Sequence, residues 1–222
     1  MVVIFDLDDT LYIEKEFVFS GFFEVANWIS NVSNSLSEDV FKMMVTDFEL
    51  NGRGRVFDNA LARFYKKTKK NVQKCISIYR LHTPKIKLKD ETVKLLLDLK
   101  CHYKLYLVTD GNKIVQNNKI KALKIERYIE KAFITYRYGR KASKPSLKCF
   151  EIIKNIEKTN WENMVYIGDN PHKDFVNLNK VNAITIRILK GDYANHKVDS
   201  TYDAKHKIYD LNELCDLLKT NL

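Results

Sequence analysis

Apolar and polar positions follow two different rhythms along this chain. The first is short and uninterrupted. Val2-Val3-Ile4-Phe5 is four apolar residues in a row, the pattern of a strand buried on both faces. It breaks abruptly into Asp6, Asp8 and Asp9. The second rhythm is helical and runs from about Lys15 to Tyr79. A first helix carries Phe17, Phe19, Phe22, Phe23, Val25, Ala26, Trp28 and Ile29, wide apolar coverage that predicts burial on more than one side. A second is expected to start with Ser37 as N-cap and Glu38 and Asp39 in its first turn. Its apolar face is Val40, Phe41, Met44, Val45 and Phe48, and it ends near Asn51-Gly52. Third and fourth helices fit Phe57 to Tyr65 and Val72 to Tyr79.

From Thr83-Pro84 onward the two rhythms alternate. Helices are expected over Asp90 to Leu99, Lys113 to Leu123, Ser146 to Ile156, Phe175 to Asn179 and Leu211 to Leu218. Strands are expected over Tyr103 to Val108, Ala132 to Thr135, Val165 to Ile167 and Ala183 to Ile188, with a possible edge strand at Ile208-Tyr209. Such alternation implies an α/β fold, a Rossmann-like parallel sheet with helices on both faces. Ligands of such sheets sit at the carboxyl ends of the strands. The helical block 14–87 is therefore read as a domain inserted into a discontinuous core, 1–13 with 88–222.

Composition changes this picture little. The chain has 222 residues, 45% apolar and 30% charged, as expected of a soluble globular protein. Its formal net charge of +10 reads first as a Lys-rich solvated surface, and a positive field also favours anionic ligands. The densest basic cluster, Lys66-Lys67-Thr68-Lys69-Lys70, follows Phe64-Tyr65, yet reads as a charged turn between helices rather than a nucleic-acid contact. Cys75, Cys101, Cys149 and Cys215 are too far apart in sequence for a metal knuckle or redox pair and read as reduced core residues. No leader-like segment and no apolar run of membrane-spanning length is seen. These features point to a cytoplasmic protein with no nucleic-acid or membrane partner; the oligomeric state is open.

The candidate chemistry is acidic. In an extended chain alternate side chains share a side, so Asp6 and Asp8 are expected to leave the first strand together. Two acids at the end of a buried strand are costly to desolvate unless a cation or a reaction needs them. A second strand ends in Thr109-Asp110-Gly111, where a hydroxyl and backbone amides can hold a phosphate. Lys144-Pro145 is expected to open a helix, with Lys141 three residues earlier. A third strand ends in Gly168-Asp169 and continues to Asp174. Arg53 and Arg55 flank Gly54 between two helices, either as a solvated loop or as an anion-reading one. His172 reads as a solvated loop residue, and the five His residues show no metal-ligand spacing.

Asp6-x-Asp8-x-Thr10 after an apolar strand, Thr109, Lys144-Pro145 and Gly168-Asp169-x-x-x-x-Asp174 occur in the order of the four motifs of the haloacid dehalogenase (HAD) superfamily, which the chain resembles. The resemblance implies a phosphatase branch with a helical cap after the first motif. It implies Asp6 as nucleophile, Asp8 as acid and base, and Lys144 as partner of nucleophile and phosphoryl group. Thr109, Asp110 and Gly111 would hold the phosphate together with Lys144. Mg²⁺ would sit on the Asp6 and Asp169 side chains and the Asp8 backbone carbonyl, steadied by Asp174. The expected function is a Mg-dependent phosphomonoesterase acting through an aspartyl-phosphate on a small phosphate ester, a sugar phosphate or nucleoside monophosphate. A phosphomutase of the same superfamily, or a non-catalytic phosphate-binding or regulatory module, stays open. One departure from the family pattern lies at 177–182, where a small-residue segment often containing Gly is usual.

Overall fold

The computed structural model describes residues 1–219. The chain divides into two compact units, Met1–Glu14 with the chain from Lys87 onward, and Lys15–Ile86. The first unit holds six strands, β1 (Val2–Phe5), β2 (Lys104–Thr109), β3 (Lys131–Ile134), β4 (Met164–Gly168), β5 (Ile184–Ile188) and β6 (His206–Ile208). Its helices are α5 (Asp90–His102), α6 (Lys113–Ala122), α7 (Lys148–Ile156), α8 (Val176–Lys180) and α9 (Glu213–Lys219). The helical block is α1 (Glu14–Ser33), α2 (Ser37–Asn51), α3 (Val56–Phe64) and α4 (Lys69–Leu81).

The sheet is parallel, in the order β3-β2-β1-β4-β5-β6. The unbroken apolar run of β1 is explained by its central place between β2 and β4. Val2 and Ile4 pack with Tyr106, Val108 and Tyr166 against Cys149, Phe150 and Ile153 of α7 and Leu178 of α8. Val3, Phe5, Leu105 and Leu107 are buried on the opposite face. Phe5 pairs with both Leu107 and Ile167, so Asp6 emerges beside the carboxyl ends of its two neighbours. The Asp6 amide still donates to the Ile167 carbonyl at 2.8 Å, which fixes the start of the acidic segment to the sheet.

The helical unit has its own core, built around Phe22. Phe48, Phe57 and Tyr79 surround that ring, and Val25, Ile29, Val40, Met44, Ala60 and Leu61 fill the rest. Gly21 lets α1 and α4 approach closely, because a Cβ there would lie 2.4 Å from the Tyr79 ring.

Several local expectations are corrected. Ser37 is the first residue of α2, not its cap; the cap position is Leu36, and the Ser37 hydroxyl donates to Asn27 Oδ1 at 2.6 Å. The cap side chain is found instead on α4, where Thr68 accepts from the Asn71 amide. Lys69 and Lys70 open that helix, so only the first part of the basic cluster is a turn. Lys144-Pro145 is a cis bond in a turn, and the helix starts later, at Lys148. Of the cysteines, only Cys75 and Cys149 are buried; Cys101 is exposed and Cys215 half-buried. Where the family often has Gly before β5, Asn182 takes the left-handed conformation (φ 63), which Asn tolerates.

Gly191 occupies a constrained place after β5. Its φ is +66, and a Cβ would lie 2.5 Å from the Asp9 carboxyl. Gly191→Ala is therefore expected to destabilise the protein by about 1–3 kcal/mol, read as a lower urea midpoint with unchanged slope.

Candidate active site

The ends of β1, β2 and β4 bring the acidic motifs together. Asp6, Asp169 and Asp174 are all buried, and each offers a carboxylate oxygen within 4.8 Å of the others. Lys144 lies among them. Its Nζ is 3.0 Å from Asp6 Oδ1 and 2.8 Å from Asp174 Oδ1, and it donates to the Tyr166 hydroxyl at 2.8 Å. All three ammonium hydrogens thus have an acceptor. Tyr166 donates in turn to Asp174 Oδ1 at 3.3 Å, and the Asn170 amide donates to Asp174 Oδ2 at 3.0 Å. Asp174 is therefore the anchor that holds Lys144 beside Asp6. Lys141 is exposed in a short 3-10 turn, whereas Lys144 is 6% exposed.

Charge does not balance within this group. Three carboxylates face one ammonium, leaving two negative charges if all are ionised. Burial, offset in part by Lys144 and reinforced by Asp174, pushes the Asp6 carboxyl up to about 6. Burial and the charges of Asp6 and Asp174 push Asp169 up to about 9. Burial opposes the charge of Lys144, but Asp174 and Asp6 outweigh it and hold the ammonium well above its ordinary value. A divalent cation fits this donor set, because it supplies the missing charge to hard oxygen ligands.

The raised carboxyls have a consequence for the metal-free protein. Between about pH 4 and 9 the folded state binds more protons at Asp6 and Asp169 than the unfolded chain does, so the stability these two groups contribute at low pH is lost as pH rises. In EDTA the urea midpoint is expected to fall from about pH 6 to about pH 9, and Asp169→Asn to remove most of that slope.

At the end of β2, Thr109 is 1% exposed and its hydroxyl accepts from Gln116 Nε2 at 2.7 Å. The Asp110 carboxylate accepts from the Thr135 hydroxyl at 2.6 Å and the Lys144 amide at 3.2 Å. Its side chain thus braces the Lys144 turn. Gly111 has φ +131, a conformation open to glycine alone at little cost. Asn112 caps α6, its side chain accepting from the Ile114 and Val115 amides.

Asp8 is not a member of the acidic trio. The chain turns after it, with Leu11 donating back to the Leu7 carbonyl and Asp9 in the left-handed region. The Asp8 carboxylate accepts from Tyr12 (2.6 Å), Lys119 (2.7 Å) and Gln116 (2.9 Å). Burial raises its pKa, but Lys119, Tyr12 and Gln116 outweigh it and keep the group below the ordinary carboxylate value. Asp6 and Asp8 therefore sit in opposite electrostatic settings.

Arg53 and Arg55 lie in the helical unit, both exposed; Arg53 is 6.0 Å from the Phe48 ring. His172 is exposed, its Nε2 3.3 Å from His196 Nδ1. Tyr12, Gln116, Lys119 and Tyr166 were not anticipated from sequence. For the α6 pair the sequence offers no signal, since Gln and Lys on a basic helix read as solvated surface; the structure shows that face buried.

A model of the haloacid dehalogenase-like hydrolase family matches residues 3–188. A curated relative from Methanocaldococcus jannaschii, named glyceraldehyde 3-phosphate phosphatase, is 31% identical, covering 98% of this chain and 96% of that protein. Among solved structures, YfnB of Bacillus subtilis, bound to magnesium, is similar with a TM-score of 0.67 at 18% identity, over 100% of this chain and 98% of that one. A HAD phosphatase from Thermococcus onnurineus is similar with a TM-score of 0.60 at 19% identity, over 98% and 97%. At those identities the two structures speak for the fold, while the family model and the curated relative speak for descent. The chain belongs to the haloacid dehalogenase superfamily of hydrolases.

Proposed function

We propose that this hydrolase is a phosphomonoesterase that works through an aspartyl-phosphate on Asp6. The observation that carries the reading is the buried Asp6 carboxylate with Lys144 Nζ 3.0 Å away, beside Asp169 and Asp174. An Asp6 oxygen attacks phosphorus, and the bond to the leaving oxygen breaks. Asp8 gives that oxygen a proton. Water then attacks the phosphorus of the aspartyl-phosphate, Asp8 takes its proton, and inorganic phosphate leaves with Asp6 restored. Because Tyr12, Lys119 and Gln116 hold Asp8 ionised at rest, the first proton has to arrive with the substrate. A phosphate monoester, whose second pKa is about 6, can bring it as the monoanion.

Lys144, the Thr109 hydroxyl and the neighbouring amides bind the phosphoryl oxygens. Asp6, Asp169 and the Asp8 backbone carbonyl are the residues we assign to Mg²⁺, with Asp174 as their brace. When bound, the ion supplies positive charge against the phosphoryl group. The helical unit is taken as the family's cap, with Arg53 and Arg55 as its substrate-reading cations.

The substrate class is a small phosphorylated metabolite. The name of the archaeal relative favours a short sugar phosphate such as glyceraldehyde 3-phosphate over a nucleoside monophosphate. Four unpaired thiols fit a reducing cytoplasm. The test is phosphate release across a panel of sugar phosphates and nucleoside monophosphates, with Mg²⁺ and with EDTA. Release of inorganic phosphate that is lost in EDTA is expected. Isomerised sugar phosphate without free phosphate would indicate a mutase, and binding without turnover a non-catalytic module.

A further inference from the structure

We propose that Gln116 and Lys119, side by side on the buried face of α6, are positioning residues that aim the Thr109 hydroxyl and the Asp8 carboxylate at the substrate phosphoryl group; this rests on the phosphatase reading above. Both residues are 2% exposed. Gln116 Nε2 has two hydrogens and two acceptors, Asp8 Oδ2 at 2.9 Å and Thr109 Oγ1 at 2.7 Å. An ionised carboxylate accepts only, so the amide nitrogen must be the group facing Asp8. The same nitrogen then makes Thr109 an acceptor, which directs that hydroxyl's single hydrogen away from Gln116 and toward a phosphoryl oxygen.

Lys119 Nζ holds the other Asp8 oxygen at 2.7 Å and braces against Glu14 Oε1 at 3.2 Å. Tyr12 shares that Asp8 oxygen. Asp8 is thus gripped at both oxygens from one helix, with Tyr12 of the following turn adding to the grip on Oδ1. Gln116 bonds to both the phosphate-holding and the proton-moving group, while Lys119 Nζ bonds to the second and to Glu14.

That difference gives the test. With p-nitrophenyl phosphate and saturating Mg²⁺, Gln116→Met is expected to lower kcat about tenfold and to weaken binding of inorganic phosphate, measured by calorimetry, by a similar factor. Lys119→Met is expected to lower kcat about tenfold with phosphate affinity unchanged. Combining Gln116→Met with Thr109→Val should cost no more phosphate affinity than either change alone. The proposal fails if folded Gln116→Met binds phosphate and turns over as wild type does, or if Lys119→Met weakens phosphate as much as Gln116→Met. If Gln116→Met does not fold, a Lys119→Met enzyme with kcat within about twofold of wild type overturns it. Wild-type protein that releases no phosphate from any ester removes the phosphatase reading, whereas the phosphate-affinity comparison still judges the role of Gln116.

Discussion

Asp6→Asn is expected to lower phosphate release by roughly 10⁴-fold or more, since the amide removes the nucleophile and what remains is binding and charge stabilisation alone. The protein should stay folded. Burial, reinforced by Asp174 and only partly offset by Lys144, pushes the Asp6 carboxyl up to about 6, so a neutral amide of the same shape relieves a net cost. Metal-free Asp6→Asn protein is therefore expected to have a urea midpoint at least equal to wild type at pH 8. A chain that lost activity by unfolding would show the opposite. Steady-state phosphate release and urea unfolding on the same preparation separate the two.

Asp8→Asn is expected to have the second largest effect, roughly 10²- to 10⁴-fold, the usual worth of one proton-transfer group. Its signature differs from that of Asp6→Asn. The amide can neither protonate the leaving oxygen nor take the proton of the attacking water. With p-nitrophenyl phosphate, whose leaving group needs little protonation, the first step survives and the second stalls. A burst of nitrophenol followed by slow turnover is the expected trace. Equal slowing of burst and steady state would deny Asp8 its part in the water step.

Much of this was legible from the chain alone, for identifiable reasons. The run Val2 to Phe5 could be uninterrupted only in a central strand, and the sheet order puts β1 in that place. Apolar strands ending in acids mark Asp6 and Asp169 as candidate site residues. The local errors have a common origin. Ser37 and Lys144-Pro145 both carry the composition of a helix start, but capping is decided by which backbone amides need an acceptor. Leu36 takes the cap position before Ser37, and the Lys144 turn is tied to Asp110 and Asp6 instead of opening α7. Gln116 and Lys119 were out of reach for a different reason. A lysine or glutamine on a basic helix reads as solvated surface. Only the packing of α6 against the turn after Asp8 makes them buried donors. Tyr166 likewise reads as an ordinary apolar strand residue until its hydroxyl is found between Lys144 and Asp174.

The opposite settings of Asp6 and Asp8 are the physical centre of the account. One carboxyl is crowded by acids around a single ammonium, Lys144. The other is gripped by Tyr12, Lys119 and Gln116. In the mechanism we propose, nucleophile and proton carrier are thereby distinguished by environment, although both are aspartates two residues apart. The most direct measurement is acid quench of Asp8→Asn during reaction with a phosphate ester in Mg²⁺, followed by peptide mapping. A phosphoryl group on the side chain of Asp6 is the predicted result. Phosphate released with no phosphorylated protein, or a phosphoryl group on any other residue, would contradict it.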